Sequence, residues 1–276
     1  MGLEQSKISP FFQDAINGAR FCILHTPPEG VPLRDALVFV PPFAEEMNKV
    51  RRVAALQARA FALRGVAVLQ VDLFGTGDSS GDFSDATWEI WREDVRSARV
   101  WIKEKLGVRC GLWGVRLGAM LATEIASMES DVSSLVLWQP VVSGEAYIAQ
   151  FLRLKTVGAM FKGVGHEKEA TDPRRQLATE GMTEVAGYGL HATLVREISE
   201  HRLESFIPKS ERVLWFEIST NPNQELSPVT RRISEKWRVE RVQVDTRMVT
   251  TEPFWSTVET AQCPELIQAT LSAAYP

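Results

Sequence analysis

Short, continuously apolar segments alternate along the chain with longer segments in which apolar residues recur at helical spacing. A short apolar run is typical of a parallel strand covered on both faces, and the longer pattern is typical of an amphipathic helix. The predicted strands are 21–25, 36–40, 66–72, 110–113, 134–138, 213–218 and 241–249. The predicted helices are 47–63, 86–106, 117–129, 228–237 and 257–273. This order predicts an α/β fold, with a mostly parallel central sheet flanked by helices and a site at the carboxyl ends of the strands.

Residues 143–210 interrupt the alternation. They hold a helical pattern at 146–160, a polar stretch at 166–175 and a Gly-Tyr-Gly sequence ahead of another predicted helix. We therefore predict a core formed by residues 1–142 and 211–276, with a helical cap formed by residues 143–210. The apolar residues of the cap either pack on the core or line a ligand cavity. They include Tyr147, Phe151, Leu152, Met160 and Phe161.

The stretch 110–122 contains the most specific motif of the chain. An apolar strand leads into Gly-Val-Arg-Leu-Gly, which spans Gly114 to Gly118, and then into small and aliphatic residues suited to a helix. This layout resembles the nucleophile elbow of α/β-hydrolases, in which the central residue is a serine. Here the central residue is Arg116, so the motif predicts the fold and leaves the reaction open.

Backbone donors near this elbow are the predicted ligand-binding groups. In α/β-hydrolases the loop after the predicted strand 36–40 supplies an N–H group to the oxyanion hole. Pro41 and Pro42 have no N–H group, so the donor must come from Phe43 or Ala44. We assign ligand binding to these two residues, to Arg116 and Leu117 at the elbow, and to Asp78, which lies in the glycine-rich turn after strand 66–72.

The other members of a Ser-His-acid triad are not in their expected places. The acid should follow the strand that contains Trp215, where Glu225 is the available carboxylate, and the histidine should follow the strand that contains Met248. No histidine follows Met248 in the sequence. Glu252 lies at about that position. All four histidines lie elsewhere in the chain, at His25, His166, His191 and His201.

Arg116 itself allows two interpretations. It could clamp a phosphate, carboxylate or acyl oxygen at a helix N-terminus, or it could be tied to an acidic neighbour. The acidic neighbours to consider are Glu45, Glu46, Asp72 and Glu252. Because an isolated buried charge is costly, we predict that the guanidinium pairs with Glu46 or Glu252. We name Arg116, Glu46 and Glu252 as the candidate catalytic residues.

Other nucleophiles and ligands have weaker support. Cys110 lies inside a buried strand, where a thiol is usually inert. Ser79, Ser80 and Ser143 are loop serines without a histidine in register, and are better explained as turn or cap residues. The turn at residues 75–81 lacks the third glycine of a dinucleotide fingerprint and the lysine of a phosphate loop. No pair of histidines has metal-ligand spacing, so no metal and no cofactor is expected.

Composition limits the partners. The chain has 276 residues, of which 45% are hydrophobic and 24% charged, and a formal net charge of −4. These values are ordinary for a folded protein and provide no broad attraction to nucleic acid or to an anionic membrane. No apolar run approaches the roughly 20 residues that span a bilayer. We expect a cytoplasmic protein with no nucleic-acid partner and no direct membrane insertion, and the oligomeric state stays open.

Four segments together carry a more specific resemblance. PPFAEEMNKVRR, VDLFGTGDSSGDF, LWGVRLGA and TEPFW occur in this order across nearly the whole chain. The chain resembles the exosortase A system-associated hydrolases of type 2, a family of the α/β-hydrolase superfamily. This resemblance implies an accessory protein of a bacterial system for surface-protein sorting and exopolysaccharide production. It implies no particular substrate, and Arg116 departs from the serine of the superfamily.

Two functions of different class follow from these observations. The first is a catalytically silent protein that binds a small acyl or anionic ligand at Arg116, supported by the missing serine and histidine. The second is an enzyme that hydrolyses acyl esters or thioesters without a triad. In that enzyme Asp78 or Glu46 would activate a water molecule and Arg116 would act as the electrophile. The chemistry of the residues favours the first.

Overall fold

The computed structural model describes residues 6–161, 172–257 and 259–275, and the side chains of 156–161 are not described. In it the seven predicted strands and one further strand form a single eight-stranded sheet. The strands of this sheet are β1 (Lys7–Ala15), β2 (Gly18–Thr26), β3 (Asp35–Val40), β4 (Val66–Val71), β5 (Cys110–Val115), β6 (Val132–Trp138), β9 (Arg212–Ser219) and β10 (Val244–Thr250). A separate hairpin is formed by β7 (Met182–Val185) and β8 (Tyr188–His191).

The order of strands across the sheet is β1-β2-β4-β3-β5-β6-β9-β10. β1 and β2 form an antiparallel hairpin, and β2 runs antiparallel to β4. All pairs from β4 to β10 are parallel. The carboxyl ends of these six strands therefore meet at one edge of the sheet, which is where parallel α/β sheets place their sites.

Helices cover both faces of the sheet, as the continuous burial of β3 and β5 requires. They are α1 (Glu45–Ala62), α2 (Trp88–Leu106), α3 (Leu117–Met128), α4 (Gly144–Phe161), α5 (Pro173–Glu180), α6 (Ala192–Glu200), α7 (Pro228–Val239) and α8 (Pro264–Ala274). α1 and α8 pack on one face around Phe61, Trp113 and Trp138. α2, α3 and α7 pack on the other face.

Local sequence signals explain where several helices begin. The Thr87 hydroxyl accepts a hydrogen bond from the Ile90 N–H group at the start of α2, and the Ser227 hydroxyl accepts one from the Thr230 N–H group at the start of α7. These side chains satisfy backbone donors that have no partner inside the helix. No helix of the described residues is long and apolar enough to cross a membrane.

The predictions and the structure differ most in three places, and the other predicted boundaries differ by a few residues at most. β1 is an additional strand, which forms the sheet edge beside β2. The last helix begins at Pro264 instead of residue 257, because a proline ring inside a helix clashes with the carbonyl group four residues earlier. β10 begins at Val244 instead of Arg241, because Arg241 has a φ of 65° and ends the turn after α7.

The segment between β6 and β9 contains α4, α5, the hairpin β7-β8 and α6, so it is not purely helical. Ala186 and Gly187 both have positive φ values, of 51° and 85°, and form the tight turn of the hairpin. The segment lies against the core beside the carboxyl ends of the strands: the Phe151 ring packs on Phe43 at 5.1 Å, and the Tyr188 ring packs on Phe83 at 5.1 Å.

Candidate ligand site at the carboxyl edge of the sheet

The backbone at Arg116 has the geometry of a sharp strand-to-helix turn. β5 ends at Val115 and α3 begins at Leu117, and the residue between them has a φ of 55° and a ψ of −119°. A residue other than glycine held in this region stores about 1–3 kcal/mol of strain. The neighbouring strand holds the turn in place, because the Arg116 N–H group donates to the Trp138 carbonyl and the Arg116 carbonyl accepts from the Val141 N–H group.

The two glycines of the motif are required by close approach of the backbone. A Cβ atom on Gly118 would lie 2.3 Å from the Pro41 carbonyl oxygen and 2.4 Å from the Val40 carbonyl oxygen. A Cβ atom on Gly114 would lie 2.5 Å from the Cα atom of Ala119. Both contacts are far inside van der Waals distance and involve backbone atoms, so a side chain at either position forces β3, β5 and α3 apart.

The Arg116 side chain pairs with Glu46. Nη2 lies 3.3 Å and Nε 3.4 Å from Glu46 Oε1. The guanidinium also lies over the rings of Trp255, at 4.8 Å, and Tyr147, at 5.7 Å, which are favourable cation–π distances. Glu46 is therefore the acidic partner among the two that were predicted. Glu252 is exposed, and it forms no ion pair with Arg116 within the described part of the chain.

Burial sets the electrostatics of Glu46. Its side chain is 19% exposed, and this burial raises the pKa of the carboxyl group, while the charge of Arg116 acts in the opposite direction. The second carboxylate oxygen, Oε2, and the hydroxyl group of Tyr147 are both buried, and neither makes a hydrogen bond of good geometry with a described residue, although the two groups are close enough for each to shift the pKa of the other. Burial and the neighbouring Glu46 hold the pKa of Tyr147 well above its usual range, so this phenol is a proton donor at neutral pH.

The predicted backbone donors surround a very small cavity. Phe43, Ala44 and Leu117 line a space of about 20 Å³, which Trp88 and Leu121 close from the other side. A cavity of this size holds roughly one water molecule. The N–H groups of Phe43 and Ala44 have no acceptor among the described residues. Ala44 also has a strained backbone, with a φ of 51°. Phe43 and Ala44 therefore border a cavity whose remaining lining consists mostly of apolar side chains.

A much larger groove begins at Arg116 and extends along the edge of the sheet. It has a volume of about 360 Å³, and its lining includes Tyr147, Gln139, Trp215 and Glu217. Gln139 has a positive φ of 43°, and its Oε1 atom accepts a hydrogen bond from the Ile218 N–H group at 2.6 Å. The groove lies between the core and α4, and α7 forms its far end through Ser227 and Thr230.

Glu217 is a residue of this groove that the sequence interpretation missed. It is only 8% exposed, and its Oε2 atom accepts a hydrogen bond from the Ser227 N–H group at 2.7 Å. The signal was present: Glu217 is the only charged residue in the apolar run 213–218 that was predicted to be a buried strand. A carboxylate placed in such a run has a structural or functional reason to be there.

Two predicted acidic residues lie away from both spaces. Asp78 is exposed, lines neither the small cavity nor the groove, and donates its backbone N–H group to the carboxylate of Asp72. Glu225, the predicted triad acid, is an exposed residue that pairs with Arg231. Neither carboxylate contacts Arg116 in the described part of the chain, so the site is built from α1, the elbow and β9.

The serines and Cys110 behave as predicted for structural residues. The Ser79 hydroxyl bonds to the backbone of Asp72 and Phe21, and the Ser80 hydroxyl accepts from the Ala19 N–H group. Ser143 accepts a hydrogen bond from Arg202. Burial raises the pKa of the Cys110 thiol to about 12, which keeps it protonated and unreactive.

The described histidines lie far from a triad position. His25 bonds to Gln70 within the sheet, and His191 caps the first turn of α6. His201 lies at the end of α6, where Nε2 is 3.5 Å from the carboxylate of Glu124 on α3. His166 lies outside the described residues, as do the side chains of Met160 and Phe161, for which we predict either packing on the core or lining of a cavity.

These contacts form no Ser-His-acid arrangement at the elbow. Among the described residues, no three histidine, cysteine, aspartate or glutamate side chains are grouped so that they could hold a metal ion. The groups that can contact a ligand are the guanidinium of Arg116, the amide of Gln139 and the carboxylate of Glu217, and Tyr147 is a further lining residue whose hydroxyl group is buried. This set can bind a small polar molecule through charge and hydrogen bonds.

Comparisons with solved structures decide the fold. Est1E from Butyrivibrio proteoclasticus, solved with ferulic acid bound, superposes with a TM-score of 0.62 at 17% identity, over 95% of this chain and 95% of that one. A Xanthomonas campestris protein described as an α/β serine hydrolase without a lid superposes with a TM-score of 0.60 at 12% identity, over 97% of this chain and 94% of that one. The chain has the α/β-hydrolase fold.

The similarity extends over nearly the whole length of the chain. An α/β serine hydrolase homologue from Coxiella burnetii gives a TM-score of 0.57 at 12% identity, over 96% of this chain and 97% of that one. No family model matches the sequence, and no curated protein does. At these identities the similarity establishes the fold and does not extend to the reaction. The strand order and the elbow between β5 and α3 are the features through which this chain has that fold.

Proposed function

We propose that the chain is an α/β-hydrolase-like accessory protein of a bacterial exosortase and exopolysaccharide system, located in the cytoplasm. It binds a small acyl or anionic ligand in the groove at Arg116 and does not perform serine-type hydrolysis. The observation that carries the proposal is the arginine itself, held by a strained backbone at the nucleophile position and paired with Glu46. The exosortase association rests on the four sequence segments described above.

Serine-type chemistry requires groups that this site lacks. A serine attacks because an imidazole removes its proton, and an arginine guanidinium stays protonated and is a poor nucleophile. The sequence has no histidine after His201, and His201 contacts Glu124 on a different helix. The cavity that Phe43 and Ala44 line has a volume of about 20 Å³, too small for a substrate carbonyl group with its substituents.

Ligand binding is favoured by the groove. Its volume of about 360 Å³ lies within the usual range for small-molecule sites. The Arg116 side chain is 15% exposed, and its bonds to Glu46 use Nε and Nη2. Nη1 makes a long contact of 3.5 Å with the Gln139 carbonyl group, so one edge of the guanidinium is weakly engaged. An anionic or acyl oxygen in the groove gains a charge-assisted hydrogen bond from this edge.

The test combines turnover and binding. We expect no hydrolysis of short p-nitrophenyl esters or acyl-CoA thioesters. We expect hexanoate to raise the melting temperature of the protein progressively, with the logarithm of its concentration once that concentration exceeds Kd. Arg116→Met should abolish this stabilisation. Arg51→Met, which removes a cation that pairs with Asp72 outside the groove, should preserve it. Stabilisation by hexanoate that survives in Arg116→Met would contradict the site.

The second candidate function, hydrolysis by an acid-activated water, is favoured by one observation. Glu46 Oε2 is buried without a partner, and burial raises the pKa of this carboxyl group, so it is a stronger base than an exposed glutamate. Ester turnover by the wild type that is lost in Glu46→Gln and retained in Asp78→Asn would establish this function and overturn the silent-binder proposal. The exosortase role has its own test, since deletion of the gene should alter exopolysaccharide export.

A further inference from the structure

The groove at Arg116 has a second charged end, at Glu217. This residue is 8% exposed, and it forms no ion pair within the described part of the chain. Buried carboxylates in proteins are normally paired with a cation, because removing an unpaired charge from water is expensive. The only bond that the structure gives the Glu217 carboxylate comes from a neutral donor, the Ser227 N–H group. The negative charge of Glu217 is therefore left without a compensating cation from the protein.

The Ser227 bond fixes the orientation of Glu217. Ser227 is the capping residue of α7, and its N–H group donates to Oε2 at 2.7 Å while its hydroxyl group caps the helix. The other oxygen, Oε1, has no protein donor among the described residues. Because Glu217 lines the groove, a ligand in the groove is the available source of the missing cation. Trp215, two residues earlier on β9, also lines the groove.

The sheet register gives the separation of the two charged residues. Val115 pairs with Trp138, and Trp138 pairs with Phe216, so Arg116 and Glu217 follow residues that are aligned across three adjacent strands. Neighbouring strands are about 4.8 Å apart, which places the two Cα atoms roughly 10 Å from each other. The lining of the groove also includes Val141, Val142 and Val229, which provide apolar surface.

We propose that the groove binds a small zwitterion, with an ammonium group at Glu217, a carboxylate or other anionic group at Arg116, and a short aliphatic spacer against the valines. This inference rests on the proposed binding function and makes it more specific, because an acyl or anionic ligand would satisfy Arg116 alone. Opposite charges at the two ends also fix the direction in which the ligand binds and exclude simple fatty acids as the preferred class.

Four molecules with the same carbon chain test the proposal by isothermal titration calorimetry. They are ε-aminocaproate, hexanoate, hexylamine and hexanol. We expect ε-aminocaproate to bind about tenfold or more tightly than hexanoate, which corresponds to about 1.4 kcal/mol or more, because its ammonium group gains a charge-assisted hydrogen bond at Glu217. Glu217→Gln should reduce the affinity for ε-aminocaproate to that for hexanoate and leave hexanoate binding unchanged. Glu225→Gln, at an exposed carboxylate outside the groove, is the matched control.

The outcomes separate this inference from the proposed function. Equal affinity for hexanoate and ε-aminocaproate in the wild type would overturn the zwitterion inference and leave the anion site at Arg116 standing. Binding of hexylamine alone would overturn the proposed function and the zwitterion inference together. No binding of any of the four molecules would overturn both as well. The wild-type comparison needs no mutant, so it decides the inference even where Glu217→Gln fails to fold.

Discussion

Replacing Arg116 by methionine removes the cation that faces Glu46 while keeping a long, flexible side chain. The strained backbone is unchanged, because methionine and arginine experience the same restriction at a φ of 55°. The substitution leaves the Glu46 carboxylate largely buried, with Oε2 already without a partner and Oε1 now losing its two bonds to the guanidinium. The expected result is a loss of stability that depends on pH.

The structure sets the size of this loss. Breaking a fully buried ion pair costs about 3–5 kcal/mol. Here the two side chains are 15% and 19% exposed, and the shortest contact is a long 3.3 Å, so solvent screens part of the interaction. We expect a decrease of about 2 kcal/mol in the free energy of unfolding at neutral pH. For a chain of this length that corresponds to a decrease of about 4 °C in the melting temperature.

The sign of the pH dependence follows from the raised pKa of Glu46. A carboxyl group whose pKa is raised in the folded state binds more protons there than in the unfolded state, so stability falls as pH rises above its ordinary pKa. Arg116 acts to lower this pKa, and removing it raises the pKa further. The difference between wild type and Arg116→Met should therefore be small near pH 4.5 and grow toward pH 8.

Urea unfolding followed by circular dichroism at several pH values measures the effect. On a Glu46→Gln background the same Arg116→Met substitution should cost less than about 1 kcal/mol, because no charge is left unpaired. Arg109→Met, which breaks an exposed pair with Glu211, should change stability by less than about 1 kcal/mol. A loss in Arg116→Met that is constant from pH 4.5 to 8, or equally large without Glu46, would refute the reasoning.

Three further predictions concern the elbow and the link to α6. Gly118→Ala should lower the free energy of unfolding by about 3 kcal/mol in a urea titration, because the new Cβ atom would overlap two carbonyl oxygens. Gly189→Ala is the control and should change this free energy little, because a Cβ atom there would lie 3.4 Å from the Ser84 Cβ atom, an ordinary contact distance. Burial opposes charge on His201, but its bonds to Glu124 and the Glu197 carbonyl group raise its pKa overall, so the stability that these bonds provide is present at pH 5.5 and is lost as pH rises through the raised pKa. His201→Gln should therefore lower the melting temperature more at pH 5.5 than at pH 9. The opposite trend would exclude this pairing. Arg116→Ser should fold but show no p-nitrophenyl ester turnover, since no histidine lies in register, and measurable serine acylation would contradict this.

The local sequence determined the fold and the turn at Arg116. Continuous apolar runs specified the parallel strands, and Gly114 and Gly118 specified the elbow, because these are short-range requirements of burial and close backbone approach. The amino-acid sequence by itself shows that the elbow has no serine and that no histidine follows Met248. The pattern alone predicts a closing helix from residue 257, whereas α8 begins at Pro264, because proline is tolerated in the first turn of a helix and not in its interior.

The tertiary structure decided which charges meet. The sequence left Glu46 and Glu252 as equal partners for Arg116, and only the packing of α1 against β5 selected Glu46, while the turn after β10 turned Glu252 to solvent and directed Trp255 to the guanidinium. Glu217 became a groove residue through the alignment of β5, β6 and β9. Periodicity constrains each element by itself, whereas the distance between side chains on different elements depends on how those elements pack, and the energies of charges depend on that distance and on burial.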